Sequence, residues 1–522
     1  MTMMISTVNI FLTLLLLLFS LVVVSSNTNL HSQSSKNHEN VTFRKRRAEC
    51  LDSRLSSYEL EFTSDRNSTW YRRTINIDNQ RCVRYPSVIA YPSSTNQVSD
   101  TIRAARECGV LSYRIRSGGH GAAGYELSDE NGLTIDMSMS FNHVRIDVET
   151  GIMNVGSGAR FDDIYTALSR TTQDWIVVGG GCPAVACGGF YLGGGWSFLS
   201  RSYGLGIDTL LEITTVLANG TVIVSSKNED KTCTGGCQDL WWASRGGGGG
   251  NFGVVTNFKV QLQRVIPSIL IGQLCWAEDT DALSSIWKWL INSYEVMPDW
   301  IQVDPGWLPL GPNGTRLFCY TIVCNHNDEH ACRKFVEPVV NRSDIVLNTL
   351  RMRSYLDWQL EHGSITSAQH GYLYLTNFVM PEGAVTPDMM IRLQRAILES
   401  PSYRNLVIFH MGGGQIAKVP NNATAFPHRD TQFVLQIKAI WKHDTKINQL
   451  QNMQWVQDLK TWLEPISTGS YVNYVDPFLN NFERMYYGDN LNRLRAIKSS
   501  IDPTSFFSFP QSIQPHNNNN LW

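Results

Sequence analysis

Twenty-seven of the 40 glycines in this 522-residue chain fall between Gly118 and Gly253. Glycine has no Cβ, so a stretch this rich in it is one where backbone must turn sharply or approach something closely. The glycines gather in loops: RSGGHG at 116–121, GGGCP at 179–183 leading to Gly188-Gly189 and Gly193–Gly195, and a run from Gly246 to Gly250. Such loops let backbone N–H groups converge on a phosphate or a ring edge. The familiar phosphate motifs are absent. There is no GxxxxGKS/T, and Gly156-Ser-Gly158-Ala-Arg-Phe161 lacks the third glycine of a dinucleotide fingerprint. The glycine run at 246–250 lies between the aromatic-rich DLWWASR and a strand-like segment, which argues against a flexible linker. A cradle is expected; glycine alone does not name its ligand.

Periodicity frames these loops. Val98, Ile102 and Ala105 recur at helical spacing over 96–108, with Gly109 as a stop. Strands are predicted at 133–139, 144–148 and 152–156, the last two joined by Glu149-Thr150-Gly151. Residues 211–226 read as strand, Asn219-Gly220 turn, strand, and 252–262 as a further strand. Beyond 265 glycine becomes sparse and helix-like patterns lengthen. Nine of the fifteen tryptophans lie between 265 and 465. From 466 the chain is dense in Tyr, Asn and Phe.

Residues 1–26 read as a signal peptide. The apolar run at 9–24 is shorter than the about 20 residues of a membrane span, and small residues Ser25 and Ser26 follow it. No later stretch could cross a bilayer, so no membrane contact is expected after cleavage. Residues 27–47 form a candidate propeptide ending in Arg44-Lys45-Arg46-Arg47, which reads equally as a convertase site or a solvated charge cluster. Eleven cysteines and six sequons, at Asn40, Asn67, Asn219, Asn313, Asn341 and Asn422, fit secretion, disulfides and N-linked glycans. The odd cysteine count leaves at least one sulfur without an intramolecular partner. Cys233 and Cys237 are close enough to be joined locally; Cys275, Cys319, Cys324 and Cys332 form a second cluster. None has the spacing of a zinc site, and no metal is expected. A net charge of −2 argues against nucleic acid as a partner.

A set of motifs occurs in fixed order: RSGGHG at 116–121, GCPAVACGG at 181–189, YGLGIDTLLE at 203–212, DLWWASRGGGGGNFGVVTNF at 239–258, TAFPHRD at 424–430, YVNYVD at 471–476, YYGDNLNRL at 486–494 and DPTSFFSFPQSI at 502–513. Across about 50–515 the chain thereby resembles the berberine-bridge-enzyme-like FAD-linked oxidases, within the vanillyl-alcohol-oxidase-type flavoproteins. The resemblance implies an α+β, two-lobed fold. An FAD-binding domain would occupy 48–264, and a substrate domain of antiparallel sheet covered by helices 265–465. A C-terminal segment, 466–518, would return to the first lobe.

The resemblance also implies FAD held by two covalent bonds. His120 matches the histidine linked to the flavin 8α-methyl, and Cys182 the cysteine linked to ring position C6; both are nucleophiles suited to an electrophilic ring edge. Attachment consumes one cysteine and leaves an even ten. Arg116, Ser117, Gly118, Gly119, Gly121, Val185, Gly188, Gly250, Asn251 and Asn473 are further cofactor-binding positions. Cys50–Cys108 resembles a family disulfide. Cys187 stands where relatives usually carry an aliphatic residue, and so offers a second thiol beside Cys182. Val185 corresponds to a valine that accompanies an open path for dioxygen in oxidases, where dehydrogenases carry leucine. Tyr474 matches the family's tyrosine base, with Tyr471 as neighbour and Asn473 as orienting amide. A phenol with an ordinary pKa of about 10 needs cations or hydrogen bonds to lower it before it serves as a base. Gln436 fits a polar pocket position. Strand alternation would place Gln436, Lys438 and Ile440 on one face, where surface or core is the plainer reading. Ala122 replaces a tyrosine common in relatives.

The expected activity is hydride abstraction from a hydroxyl-bearing carbon of a small-molecule alcohol, with dioxygen reduced to hydrogen peroxide. An aromatic cyanohydrin such as mandelonitrile and a sugar hemiacetal are the leading substrates. The tryptophans between 265 and 465 could stack on either, though core is expected for most. The basic site, if processed, suggests an animal-type route and lowers plant alkaloid or cannabinoid chemistry. The alternatives are a dehydrogenase or oxidative cyclase of the same family, or a non-catalytic secreted binding or defence glycoprotein.

Overall fold

The computed structural model describes residues 45–516 except 111, 173, 228–235, 312–313 and 367–370. The expected signal peptide, the propeptide up to Arg44, Cys233, Asn40 and Asn313 lie outside the described residues. Lys45, Arg46 and Arg47 open a helix that runs over 45–57.

Local signals set the first elements. Helix Thr95–Glu107 begins where the Ser94 hydroxyl accepts from Gln97 N–H, and it stops before Gly109, whose φ is +61°. Its apolar stripe, Val98, Ile102 and Ala105, packs in the core of a four-stranded sheet. That sheet runs Phe62–Thr63, Val88–Ala90, Leu133–Asp136, Tyr113–Arg116, and its last three strands are parallel. The strand predicted over 133–139 ends at Asp136, because this carboxylate accepts from the Ser138 N–H and hydroxyl and turns the chain. A second sheet is antiparallel, in the order Val144–Asp147, Ile152–Gly156, Val254–Gln261, Leu210–Val216, Val222–Ser226. Its hairpin at Asn219-Gly220 uses Gly220 at φ +82°.

The largest sheet has eight strands, all paired antiparallel. Across it run Leu347–Asn348, Ile269–Ala277, Leu317–Cys324, Ile301–Leu308, Leu406–Met411, Phe433–Trp441 and Tyr372–Met380, with Arg351–Arg353 also pairing with Ile269–Ala277. Alternation gives it two different faces. On one, Phe433, Leu435, Ile437, Ala439 and Trp441 join a core with the helices Leu283–Tyr294, Glu329–Val340, Pro387–Leu398 and Lys446–Leu463. On the other stand Gln436, Lys438 and, from the next strand, Leu406, Ile408 and His410.

Residues 470–513 run from this sheet back to the glycine loops. Buried Asp476 accepts from Lys460 Nζ at 2.8 Å and from the Thr376 hydroxyl at 2.8 Å. Further on, Tyr487 donates to Gly247 O, Lys498 Nζ to Asn251 O, and Ile513 N–H to Asn251 Oδ1.

Disulfides join Cys50 to Cys108, Cys275 to Cys319 across adjacent strands, and Cys324 to Cys332. Cys237 is also disulfide-bonded. Cys82, Cys182 and Cys187 are free thiols, so the even ten left by one flavin sulfur are not all paired. The sequon asparagines Asn67, Asn219, Asn341 and Asn422 are exposed. No described helix is long and apolar enough to cross a membrane.

Candidate functional site

A cavity of about 520 Å³ opens between the glycine loops and the face of the large sheet that bears Gln436, Lys438 and His410. The glycines around it do two kinds of work. At some, loops pack without room for a side chain. A Cβ on Gly118 would lie 2.8 Å from the Ala186 Cβ, and one on Gly188 2.6 Å from both Ser117 Oγ and Ser157 O. At others, glycine leaves the cavity open. A Cβ on Gly189 would meet nothing within 4 Å, and one on Gly249 only Leu192 at 3.8 Å. Gly250 adopts φ +77°, a left-handed turn that favours glycine. Buried polar atoms await partners in the same place. Ser157 Oγ and Trp196 Nε1 have no hydrogen bond, and both residues line the cavity. A flat, hydrogen-bonding ring system such as a flavin fits this combination of open backbone and unsatisfied polar groups.

His120 and Cys182 both line the cavity. His120 Nδ1 lies 3.9 Å from Asp78 Oδ2, and Lys438 Nζ lies 3.8 Å from the same oxygen. Burial pushes the Cys182 thiol up, partly offset by the Ala184 backbone N–H and the Lys438 charge. The expected competitor, Cys187, is turned away. It is fully buried, its sulfur donates to Gly156 O at 3.1 Å, and it does not line the cavity. Ser117, Gly119, Gly121, Val185, Asn251 and Asn473 also line it. Arg116 does not. Its guanidinium is buried and drawn to Asp136 at 3.4 Å and to Ser138 Oγ at 3.0 Å, so it braces the loop from behind.

Two tyrosines project from the 471–476 segment, with ring centroids 5.1 Å apart. Tyr471 Oη accepts from Gly195 N–H at 2.9 Å, Trp196 N–H at 3.3 Å and Asn473 Nδ2 at 2.9 Å. Asn473, expected as an orienting amide, donates to the Tyr471 oxygen and to Phe190 O. Tyr474 Oη meets His410 Nε2 at 3.0 Å. Burial pushes its phenol up, with Tyr471, Asp304 and Cys182 adding to the shift. That is opposite to the lowering that would help a base, because burial dominates and the groups nearest the phenol add to it.

Gln436 and Lys438 face the cavity, not surface or core. Ile440, on the same face, packs with Leu373, Leu375 and Leu406, against which Ala122, Ile408 and Tyr474 also rest. The sheet-side wall is therefore mostly apolar. None of the tryptophans between 265 and 465 lines the cavity; Trp276, Trp287 and Trp307 are fully buried in the helix-side core. Asp78, Asp304 and His410 escaped sequence reasoning. Asp304 and His410 carried a usable signal, being polar residues at alternate positions in otherwise apolar strands.

Cradle and cavity together suit a protein that binds a flavin. The FAD binding domain family matches residues 86–226, and the family described as berberine and berberine like matches 470–514. The chain is 30% identical over 455 residues to the uncharacterized FAD-linked oxidoreductase YvdP of Bacillus subtilis, covering 83% of this chain and 93% of that one. It is 28% identical over 491 residues to the xylooligosaccharide oxidase of Thermothelomyces thermophilus, covering 89% and 94%. The solved structure of wild-type Physcomitrella patens BBE-like 1 superposes with a TM-score of 0.77 at 24% identity, covering 90% and 99%. The chain belongs to the berberine-bridge-enzyme-like family of FAD-linked oxidases. Its α+β architecture is the vanillyl-alcohol-oxidase-type fold.

Proposed function

We propose that this chain is a secreted, N-glycosylated oxidase that converts the hydroxyl-bearing carbon of a small aromatic alcohol to a carbonyl, an aromatic cyanohydrin such as mandelonitrile being the expected substrate. The carrying observation is that His120, Cys182 and Tyr474 share one cavity with a wall of Ala122, Leu373, Leu406 and Ile408. Such a wall suits an aryl ring better than a hydroxyl-covered sugar. The similarity to a xylooligosaccharide oxidase favours a sugar hemiacetal as the second reading, but no tryptophan of the substrate side is there to stack on one.

In this reading 48–264 and 466–518 form the FAD domain and 265–465 the substrate domain. His120 and Cys182 would hold FAD covalently, with Ser117, Gly118, Gly119, Gly121, Gly188, Gly250 and Asn251 around it. Bound there, FAD would supply two-electron redox chemistry between the substrate carbon and dioxygen. Tyr474 takes the hydroxyl proton, while Gln436 and Lys438 donate to the substrate's polar end. The alcohol loses two hydrogens with two electrons, and dioxygen gains both to give hydrogen peroxide. Val185 supports dioxygen as acceptor.

The test starts with acid-precipitated, digested protein from secreting cells. Flavin mass is expected on the peptides holding His120 and Cys182, and more peroxide from mandelonitrile than from xylobiose. Colourless protein with both peptides unmodified after flavin supply would sink the oxidase reading. Peroxide from xylobiose alone would move the substrate to carbohydrate.

A further inference from the structure

Resting on Tyr474 as the proton acceptor, we propose that Asp304, His410 and Tyr474 form a proton relay, in which His410 Nε2 receives the phenol proton as Tyr474 takes the proton of the substrate hydroxyl. Tyr474 Oη is 3.0 Å from His410 Nε2, and His410 Nδ1 faces Asp304 Oδ2 at 3.5 Å. The sheet builds the pair. The register that sets Gly306 against Ile408 brings Asp304 opposite His410 on the neighbouring strand.

Asp304 is fixed on one side only. Its Oδ1 accepts from Gln302 Nε2 at 2.8 Å and Met411 N–H at 2.9 Å, while Oδ2 is buried without a hydrogen-bond partner. Leaving a buried carboxylate oxygen unpaired is costly. A proton on His410 Nδ1 relieves that cost and leaves Nε2 a lone pair for the Tyr474 hydroxyl. His410 Nε2 thus supplies an acceptor for the Tyr474 hydroxyl proton.

The protons balance. One passes from substrate oxygen to Tyr474 Oη and one from Tyr474 Oη to His410 Nε2. The Nδ1 proton stays toward Asp304, and the electron pair leaves with the hydride to FAD. The imidazolium charge is then compensated by Asp304. Other groups face the relay: Tyr471 and Cys182 beside Tyr474, Arg201 and Tyr355 beside Asp304, and Lys438 across the cavity. Asp304 and His410 act through Tyr474 and are positioning residues.

Two measurements on the flavin-loaded protein test the relay. In nitrogen-15 histidine NMR, the wild-type His410 is expected to carry its neutral-form proton on Nδ1, a preference lost in Asp304→Asn. Anaerobic flavin reduction by mandelonitrile should show a pH inflection. His410→Asn should slow reduction by about a hundredfold and abolish that inflection. Asp304→Asn should slow reduction as well, though less, since the ring loses the carboxylate that holds its Nδ1 proton. Folded, flavin-loaded His410→Asn with the wild-type profile overturns the relay, as does an Nε2–H tautomer in the wild type, which is readable even where the variant fails to fold. Unchanged reduction in Tyr474→Phe removes the tyrosine base itself, so the two failures are distinct.

Discussion

On one side of the cavity the wall is glycine loops, packed on Ala186, Ser117 and Ser157 until Gly188 has no room for a methyl group; on the other it is side chains set out by strand alternation, from Leu406 to His410. The first wall is rigid in composition where its loops touch, because a carbon added at Gly118 or Gly188 meets an atom. The second changes with any inward-facing residue while the helix-side core, Val407, Phe409 and Met411, holds the strand in place. A fold built this way can keep its cofactor and vary its substrate. The sheet side is where an individual chain's chemistry is written.

The largest effect should come from the sheet-facing tyrosine. Tyr474→Phe is expected to slow anaerobic flavin reduction by about 10²- to 10⁴-fold without loss of bound flavin, measured by stopped-flow absorbance. Equal loss in Tyr471→Phe with its fold intact would erase the distinction between a held and a reactive phenol. Next comes the seam between the walls. Lys460→Met strands Asp476 in the interior and should destabilise the chain by about 3–5 kcal/mol in urea unfolding. A smaller, pH-dependent effect belongs to His428, buried in the same seam against Gly469, whose pKa burial drives down to about 4. The folded chain binds fewer protons on this ring than the unfolded one. About 3 kcal/mol of stability is therefore present above pH 6.5 and lost as pH falls toward 4, a slope that His428→Gln should flatten. The smallest effect separates two kinds of glycine. Gly118→Ala should cost about 1–3 kcal/mol through its contact with Ala186, whereas Gly249→Ala should leave thermal unfolding unchanged and lower only the flavin content.

The glycine wall was legible because a backbone cradle can be made from few residue types, and RSGGHG and the 246–250 run announce it directly. Helix Thr95–Glu107 and the Asn219-Gly220 hairpin were legible for the same local reasons, a cap and a turn residue. The sheet wall was not. Gln436 and Lys438 read as surface or core, because alternation gives a face but not what lies opposite it. Arg116, adjacent to the loop in sequence, faces backwards because Asp136, twenty residues on, is buried beside it. His410 and Asp304 meet only through a cross-strand register that no short motif encodes.

The loop at 246–251 takes hydrogen bonds from Tyr487, Lys498 and Ile513, at least 240 residues further along the chain. Chains are synthesised from the amino end, and earlier segments fold while later ones are still being added. The four-stranded sheet and its helix can form during translation, but the cradle cannot be latched until residues 487–513 have left the ribosome. Maturation is therefore ordered in time, with scaffold first and cofactor capture after release. A chain cut before Tyr487 would keep the early scaffold and lose the latch.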